Sequence, residues 1–131
     1  MINNEKKEMR YSILKFSNRH IMNMKTKKDI VEDWLPRYTG RALEDFSKHI
    51  ILTNFDYYLD LFAEKYNTPI IGENKNMPNV SHDGITMINF GMGSANAATI
   101  LDLLSAIEPE AVLFIGKCGG LKAKHHEGDY I

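Results

Sequence analysis

Two apolar runs joined through a helix decide the fold: Ile85-Thr86-Met87-Ile88-Asn89-Phe90, the turn Gly91-Met92-Gly93-Ser94, residues 95–107, and Ala111-Val112-Leu113-Phe114-Ile115 running into Gly116-Lys117-Cys118-Gly119-Gly120. Each apolar run has strand length and ends on glycines, and the segment between them has helix length and is closed by Pro109. This pattern predicts a strand–helix–strand unit with parallel strands and a right-handed crossover. Both glycine turns then leave the carboxyl ends of parallel strands, the edge at which open α/β sheets take ligands. Glycines there let backbone N–H groups approach a ligand, and the helix after residue 94 offers its positive N-terminus to an anion. Ser94 and Asn96 are candidates to cap that helix or to donate to a phosphate or sugar.

Upstream, the alternation of strand and helix continues. Ile50-Ile51-Leu52 reads as a short buried strand, and Asp56 as the cap of a helix through Tyr66, with Leu59, Phe62, Ala63 and Tyr66 on one face. Pro69-Ile70-Ile71 reads as another short strand, 72–84 as a polar loop, and Gly128-Asp129-Tyr130-Ile131 as the start of one more strand. Nearer the N-terminus, Thr26 and Asp29 make an imperfect capping box before the apolar stripe Ile30, Val31, Trp34 and Leu35, with Pro36 expected to stop the helix. The expected class is α/β, a mainly parallel or mixed sheet flanked by helices. Such a sheet needs more flanking elements than 24–131 supply, so the domain is expected to be incomplete in this chain. Residues 1–23 show no sustained periodicity and read as a disordered basic extension.

The net charge of −1 conceals an uneven distribution. Residues 1–28 hold eight Lys or Arg against two Glu, a net of +6, while 29–131 hold eight against fifteen, a net of −7. An acidic globular part argues against a nucleic-acid partner, because phosphate backbones are met by clustered Lys and Arg. No apolar run approaches membrane-spanning length and no signal-peptide core is present, so no membrane partner is expected and a cytoplasmic location is the default. The one cysteine, Cys118, cannot form an internal disulfide.

Familiar ligand motifs fail on single letters. A dinucleotide fingerprint over the first turn needs glycine where Asn96 stands, and a phosphate loop ending at Gly116-Lys117 needs glycine at Ala111 and Ser or Thr at Cys118. His125-His126 lacks further ligands at a fitting spacing, so no metal is expected. Cys118 among glycines is expected to be a small buried residue and no nucleophile, and Met92 either touches a ligand or fills a gap.

The letters of the two turns carry a resemblance. Ile88-Asn89-Phe90-Gly91-Met92-Gly93-Ser94-Ala95-Asn96-Ala97-Ala98-Thr99 is similar to the ligand-loop segment of the AMP nucleosidases, and so is Ile115-Gly116-Lys117-Cys118-Gly119-Gly120-Leu121 with Gly128-Asp129-Tyr130 following. Trp34-Leu35-Pro36-Arg37-Tyr38-Thr39-Gly40-Arg41 and Ile51-Leu52-Thr53-Asn54-Phe55 resemble the start of the short bacterial members. The resemblance spans 24–131 and implies a nucleoside-phosphorylase-like sheet, no cofactor, and hydrolysis of AMP to adenine and ribose 5-phosphate. It implies a site for nucleotide or phosphate at Gly91, Gly93, Ser94, Asn96, Gly116, Lys117, Cys118, Gly119 and Gly120, with Arg37 and Arg41 as further candidates reaching a neighbouring subunit.

Related phosphorylases carry an Arg and a Ser for phosphate around the second turn. Aligning them here puts Phe114 at the Arg position and Lys117 at the Ser position, which favours hydrolysis over phosphorolysis. The family's ribose-contacting segment and its general acid fall beyond Ile131, so this chain is expected to be an inactive portion of a homo-oligomeric enzyme. A phosphorylase or other nucleosidase of the same fold is a competing reading, and a non-catalytic nucleotide-binding or assembly fragment is another.

Overall fold

A computed structural model describes residues 25–129. The extension expected over 1–23 and the strand expected to reach Ile131 lie outside or at the limit of that range; Gly128 and Asp129 are turn and coil. The chain divides into two compact units, residues 1–30 and 31–131. What is described of the first is the start of helix α1 (Lys27–Thr39). Here the expected capping box is formed: the Asp29 N–H donates to Thr26 Oγ1 at 3.1 Å, and Asp29 Oδ2 accepts from the Thr26 N–H at 2.8 Å and hydroxyl at 2.7 Å. The Thr26 hydroxyl, and then its N–H, hold the Asp29 carboxyl below the usual carboxylate range.

The second unit is a mixed sheet of strands β1 (His49–Thr53), β2 (Asn79–His82), β3 (Ile85–Asn89) and β4 (Ala111–Ile115) in the order β2-β3-β1-β4. Helices α2 (Asp56–Tyr66) and α3 (Ser94–Leu103), the latter extended by a 3-10 turn Leu104–Ala106, connect them. β1 pairs parallel with β3 on one side and with β4 on the other, while β2 pairs antiparallel with β3. The strand–helix–strand unit is therefore present, but its strands are not neighbours: β1 lies between them.

Alternation along the strands builds two cores. Ile50 and Leu52 of β1 with Ile88 of β3 face Leu35 of α1 and Ile100, Leu103 and Leu104 at the α3 end. Met87 of β3 and Val80 of β2 face the other way, against Leu59 of α2, with Ile51 packed at the margin. At the edge, β4 leaves Val112, Leu113 and Phe114 exposed. Among the described residues, no helix is long and apolar enough to cross a membrane.

Several expectations are corrected. Residues 72–84 are not all loop, because β2 lies within them. Asn79-Val80-Ser81-His82 offers little apolar content, and its placement comes from polar bonds instead. The buried Asn79 donates from Nδ2 to the Thr39 carbonyl at 2.8 Å, and Ser81 Oγ bonds Thr86 Oγ1 at 2.7 Å. The hairpin to β3 turns at Asp83-Gly84, both with positive φ (47° and 77°), the pair favoured in tight two-residue hairpins. The strand expected at Pro69-Ile70-Ile71 reduces to one bridge between Ile71 and Asn79. Pro36 does not stop α1: the helix runs on to Thr39 because Leu35 and Thr39 are both buried, so packing outweighs the lost N–H bond. It ends at Gly40, in left-handed conformation, whose N–H donates to the Pro36 carbonyl at 2.8 Å. Asp56 does not cap α2. Phe55 holds the cap position without a side-chain bond, and the Asp56 carboxylate is used elsewhere.

Gly72, at φ +71°, lies against the Thr39 carbonyl, which a Cβ at this position would overlap. Gly72→Ala is expected to destabilise the fold by about 2–4 kcal/mol, combining left-handed strain with overpacking. Ile88→Ala, at a fully buried site, is expected to cost about 2–5 kcal/mol. Chemical denaturation of each variant checks both values.

Candidate functional site

Because β1 lies between β3 and β4, the end of β1 and the start of α2, residues 54–58, sit between the two glycine turns. The carboxyl edge is thus a corner of three strand ends. Sequence reasoning concentrated on the glycines, read Asp56 as a helix cap and gave 54–58 no part in the site. The available signal was the dense run Asn54-Phe55-Asp56-Tyr57-Tyr58 directly after a buried strand.

The first turn is braced from behind. Asn89, 7% exposed, closes β3 with both ends of its amide occupied: Nδ2 donates to Asp56 Oδ1 at 2.6 Å, and Oδ1 accepts from the Gly91 N–H at 2.8 Å. One side chain therefore links a strand end, the first turn of α2 and the glycine turn. Gly93 then takes φ 98° and ψ 154°, a conformation essentially reserved for glycine, and becomes the N-cap of α3. A residue with a Cβ there would change the angle at which α3 starts.

Neither Ser94 nor Asn96 caps α3: its N-cap makes no side-chain bond, and Ser94 is the first helical residue. Asn96 instead donates from Nδ2 to the Met92 carbonyl at 3.1 Å, tightening the turn. Residues 92–96 are exposed, and the first intrahelical bond to Gly93 comes from the Ala97 N–H at 3.2 Å. The N–H groups of the first helical turn, Ser94 to Asn96, therefore face solvent with the positive end of the helix dipole behind them, suited to an oxyanion. Met92, 70% exposed, has its thioether accepting a bond from Asn54 Nδ2 at 3.3 Å, while Asn54 Oδ1 is buried without a partner. A thioether is a weak acceptor, so a ligand oxygen is a stronger partner for that amide.

The second turn carries the cation. Lys117 Nζ lies 5.5 Å from the ring centroid of Phe55, 5.4 Å from that of Tyr57 and 5.5 Å from that of Tyr58. Each such contact contributes roughly 0.5–1 kcal/mol at an exposed site. Phe114 turns its ring toward Phe90, with centroids 5.9 Å apart, and over Gly116, where a Cβ would stand 2.8 Å from Cζ. Phe114 is thus one half of an aromatic pair beside the second turn.

Residues 116 to 129 are exposed. Cys118, expected to be buried, is exposed as well, in a loop whose residues are all exposed. Gly119 and Gly120 lie in the same loop, where His125 and His126 belong to a surface turn with the His126 N–H donating to Asp129 Oδ2 at 2.9 Å. Among the described residues, no group of three His, Cys, Asp or Glu is placed to hold a metal ion.

The bonds of the two arginines run away from the glycine turns. Arg37 pairs with Asp33 along α1, NH2 to Oδ1 at 2.9 Å. Arg41 donates from Nε to Asn79 Oδ1 at 2.5 Å and from NH1 to the Asp45 carbonyl at 3.3 Å. Burial pushes the Arg41 guanidinium down from its ordinary value, opposed by Asp45. These bonds give Arg41 a clear place in the packing of β2, and the edge described above draws its positive character from α3 and Lys117.

The chain is similar to proteins of known name. The AMP nucleosidases of Escherichia coli K12 and of Escherichia coli O157:H7 are each 28% identical to it over 134 aligned residues, 74% of this chain and 28% of theirs. The crystal structure of AMP nucleosidase from Bacteroides thetaiotaomicron VPI-5482 superposes with a TM-score of 0.73 at 67% sequence identity, covering 74% of this chain and 42% of that one. The chain thus spans less than half the length of each of these relatives. Residues 48–131 match the family described as the phosphorylase superfamily. That match takes in every strand among the described residues, both glycine turns and the corner between them, and the chain belongs to the phosphorylase superfamily.

Proposed function

We propose that the protein hydrolyses the N-glycosidic bond of AMP to adenine and ribose 5-phosphate, and that residues 25–129 contribute the edge that receives the 5′-phosphate. The observation that carries this reading is Lys117 of the second turn, whose ammonium stands over the rings of Phe55, Tyr57 and Tyr58. Phe114, which the resemblance sets at the phosphorylases' arginine position, packs on Phe90 and offers nothing to inorganic phosphate. The likeness to relatives named AMP nucleosidase, one of them 67% identical, supports the same substrate.

The chemistry fits the parts. A nucleotide phosphate needs several N–H donors and at least one cation, which the open first turn of α3 and Lys117 offer from two sides of β1. Departure of adenine builds an oxocarbenium-like ribose, attacked by water, and the leaving base needs a proton donor. We place that donor outside residues 25–129. The exposed thiol of Cys118 is not needed, since water is the nucleophile. Asn54, whose Nδ2 meets only a thioether, is the described side chain best suited to a ribose or phosphate oxygen.

The reaction is tested with the protein purified in its native form. AMP alone is expected to yield adenine and ribose 5-phosphate; ribose 1-phosphate made from adenosine and inorganic phosphate would overturn the reading. Lys117→Met is expected to weaken AMP binding about tenfold to a hundredfold, the range for a bond to a charged group, while leaving adenosine binding nearly unchanged. Titration calorimetry with the two ligands measures the difference.

A further inference from the structure

We infer that Phe55, Tyr57 and Tyr58 form an aromatic cage whose task is to position Lys117, and with it the second glycine turn, for the phosphate of the nucleotide. The inference rests on the reading of Lys117 as the phosphate cation and says what holds that cation in place. The three rings come from four consecutive residues because the chain turns a corner there. Phe55 is extended, at φ −126° and ψ 125°, and Tyr57 and Tyr58 lie in the first turn of α2. They pack on one another edge to face, Phe55 on Tyr58 at 6.0 Å and 81°, Tyr57 on Tyr58 at 5.7 Å and 62°. The Lys117 ammonium stands nearly equidistant from all three.

Rings hold a cation differently from a carboxylate. A carboxylate would take the ammonium's N–H donors and cancel its charge, whereas a ring face attracts the charge without an acceptor atom, leaving donors for an oxyanion. The acidic side chain next to the cage, Asp56, is engaged by Asn89 Nδ2 at 2.6 Å. The cage also fastens a loop that otherwise closes on itself, through His125 N–H to the Lys122 carbonyl at 3.0 Å and Asp129 N–H to the His126 carbonyl at 3.2 Å. Holding the long lysine stem before the ligand arrives lowers the ordering cost of binding. Phe55, Tyr57 and Tyr58 are positioning residues, acting through Lys117.

The test combines two readouts on the full chain. The first is the Cε–H signal of Lys117 in a 13C-lysine-labelled sample, assigned by its loss in Lys117→Gln. It is expected upfield of the other lysines through the ring currents, to return toward them in a Tyr57→Leu/Tyr58→Leu variant, and to stay in Tyr57→Phe/Tyr58→Phe. The second is affinity for AMP and for adenosine. The Leu variant is expected to lose about two- to fivefold in AMP affinity for each ring removed, with adenosine unchanged and the Phe variant close to wild type. A Lys117 signal coincident with the other lysines in the wild-type chain would overturn the cage, whatever AMP does. Unchanged AMP affinity in a variant that has lost the shift would overturn its positioning role. AMP bound no better than adenosine by the wild-type chain would overturn the phosphate reading of Lys117 and the inference with it, and the intact ring-current shift would tell that failure from a missing cage.

Discussion

Parallel pairing of β1 with β3 and β4 at once is the constraint from which the site follows. With His49 aligned to both Ile85 and Ala111, and Thr53 to both Asn89 and Ile115, the three strands end together. Chain leaving all three ends must then share one corner. The buried residues that fix this pairing, Ile50, Leu52 and Ile88, are therefore also what brings two glycine turns distant in sequence to a common centre. Loss of that packing would separate the turns before it altered either one.

Polar bonds then give the corner its direction. Asn89 ties the first turn to Asp56, and the rings at Phe55, Tyr57 and Tyr58 tie the second turn to the same helix start through Lys117. α2 thus serves as a common post for both turns, and its first turn carries acidic and aromatic groups that neither neutralise Lys117 nor cap α3. What is left open toward solvent is positive: a helix N-terminus without a side-chain cap and an ammonium held on rings. This division between braced backs and open fronts is the physical basis for assigning an oxyanion to the edge.

Much of this was legible in the sequence, where local chemistry was decisive. The capping box at Thr26 and Asp29, the span of α2 and the strand run 111–115 follow from side-chain spacing alone. The insertion of β1 between the flanking strands was not legible, because strand order depends on which faces meet in space and leaves no mark on a run of Ile and Leu. β2 was hidden for a different reason: Asn79 and Ser81 find their partners at Thr39 and Thr86, far along the chain, so composition gave a loop where tertiary bonds make a strand. The Asp83-Gly84 turn was the one local clue. At the site, the glycine turns and Lys117 stood out, while Asn54, Asn89 and the aromatic corner did not: Asn54 and the rings take their meaning from turns 38 to 62 residues away, and Asn89 from Asp56, 33 residues back. The resemblance named the family, and the geometry supplied the contacts behind it.

A phosphate is proposed to bind at the carboxyl edge between the two glycine turns. This is tested most directly by following backbone amide shifts of the 15N-labelled chain during titration with ribose 5-phosphate and, separately, with ribose. The amides of Gly93, Ser94, Ala95, Asn96 and Lys117 are expected to move with ribose 5-phosphate and to stay in place with ribose. Equal movement with both sugars, or movement confined to residues away from these turns, would contradict the proposal.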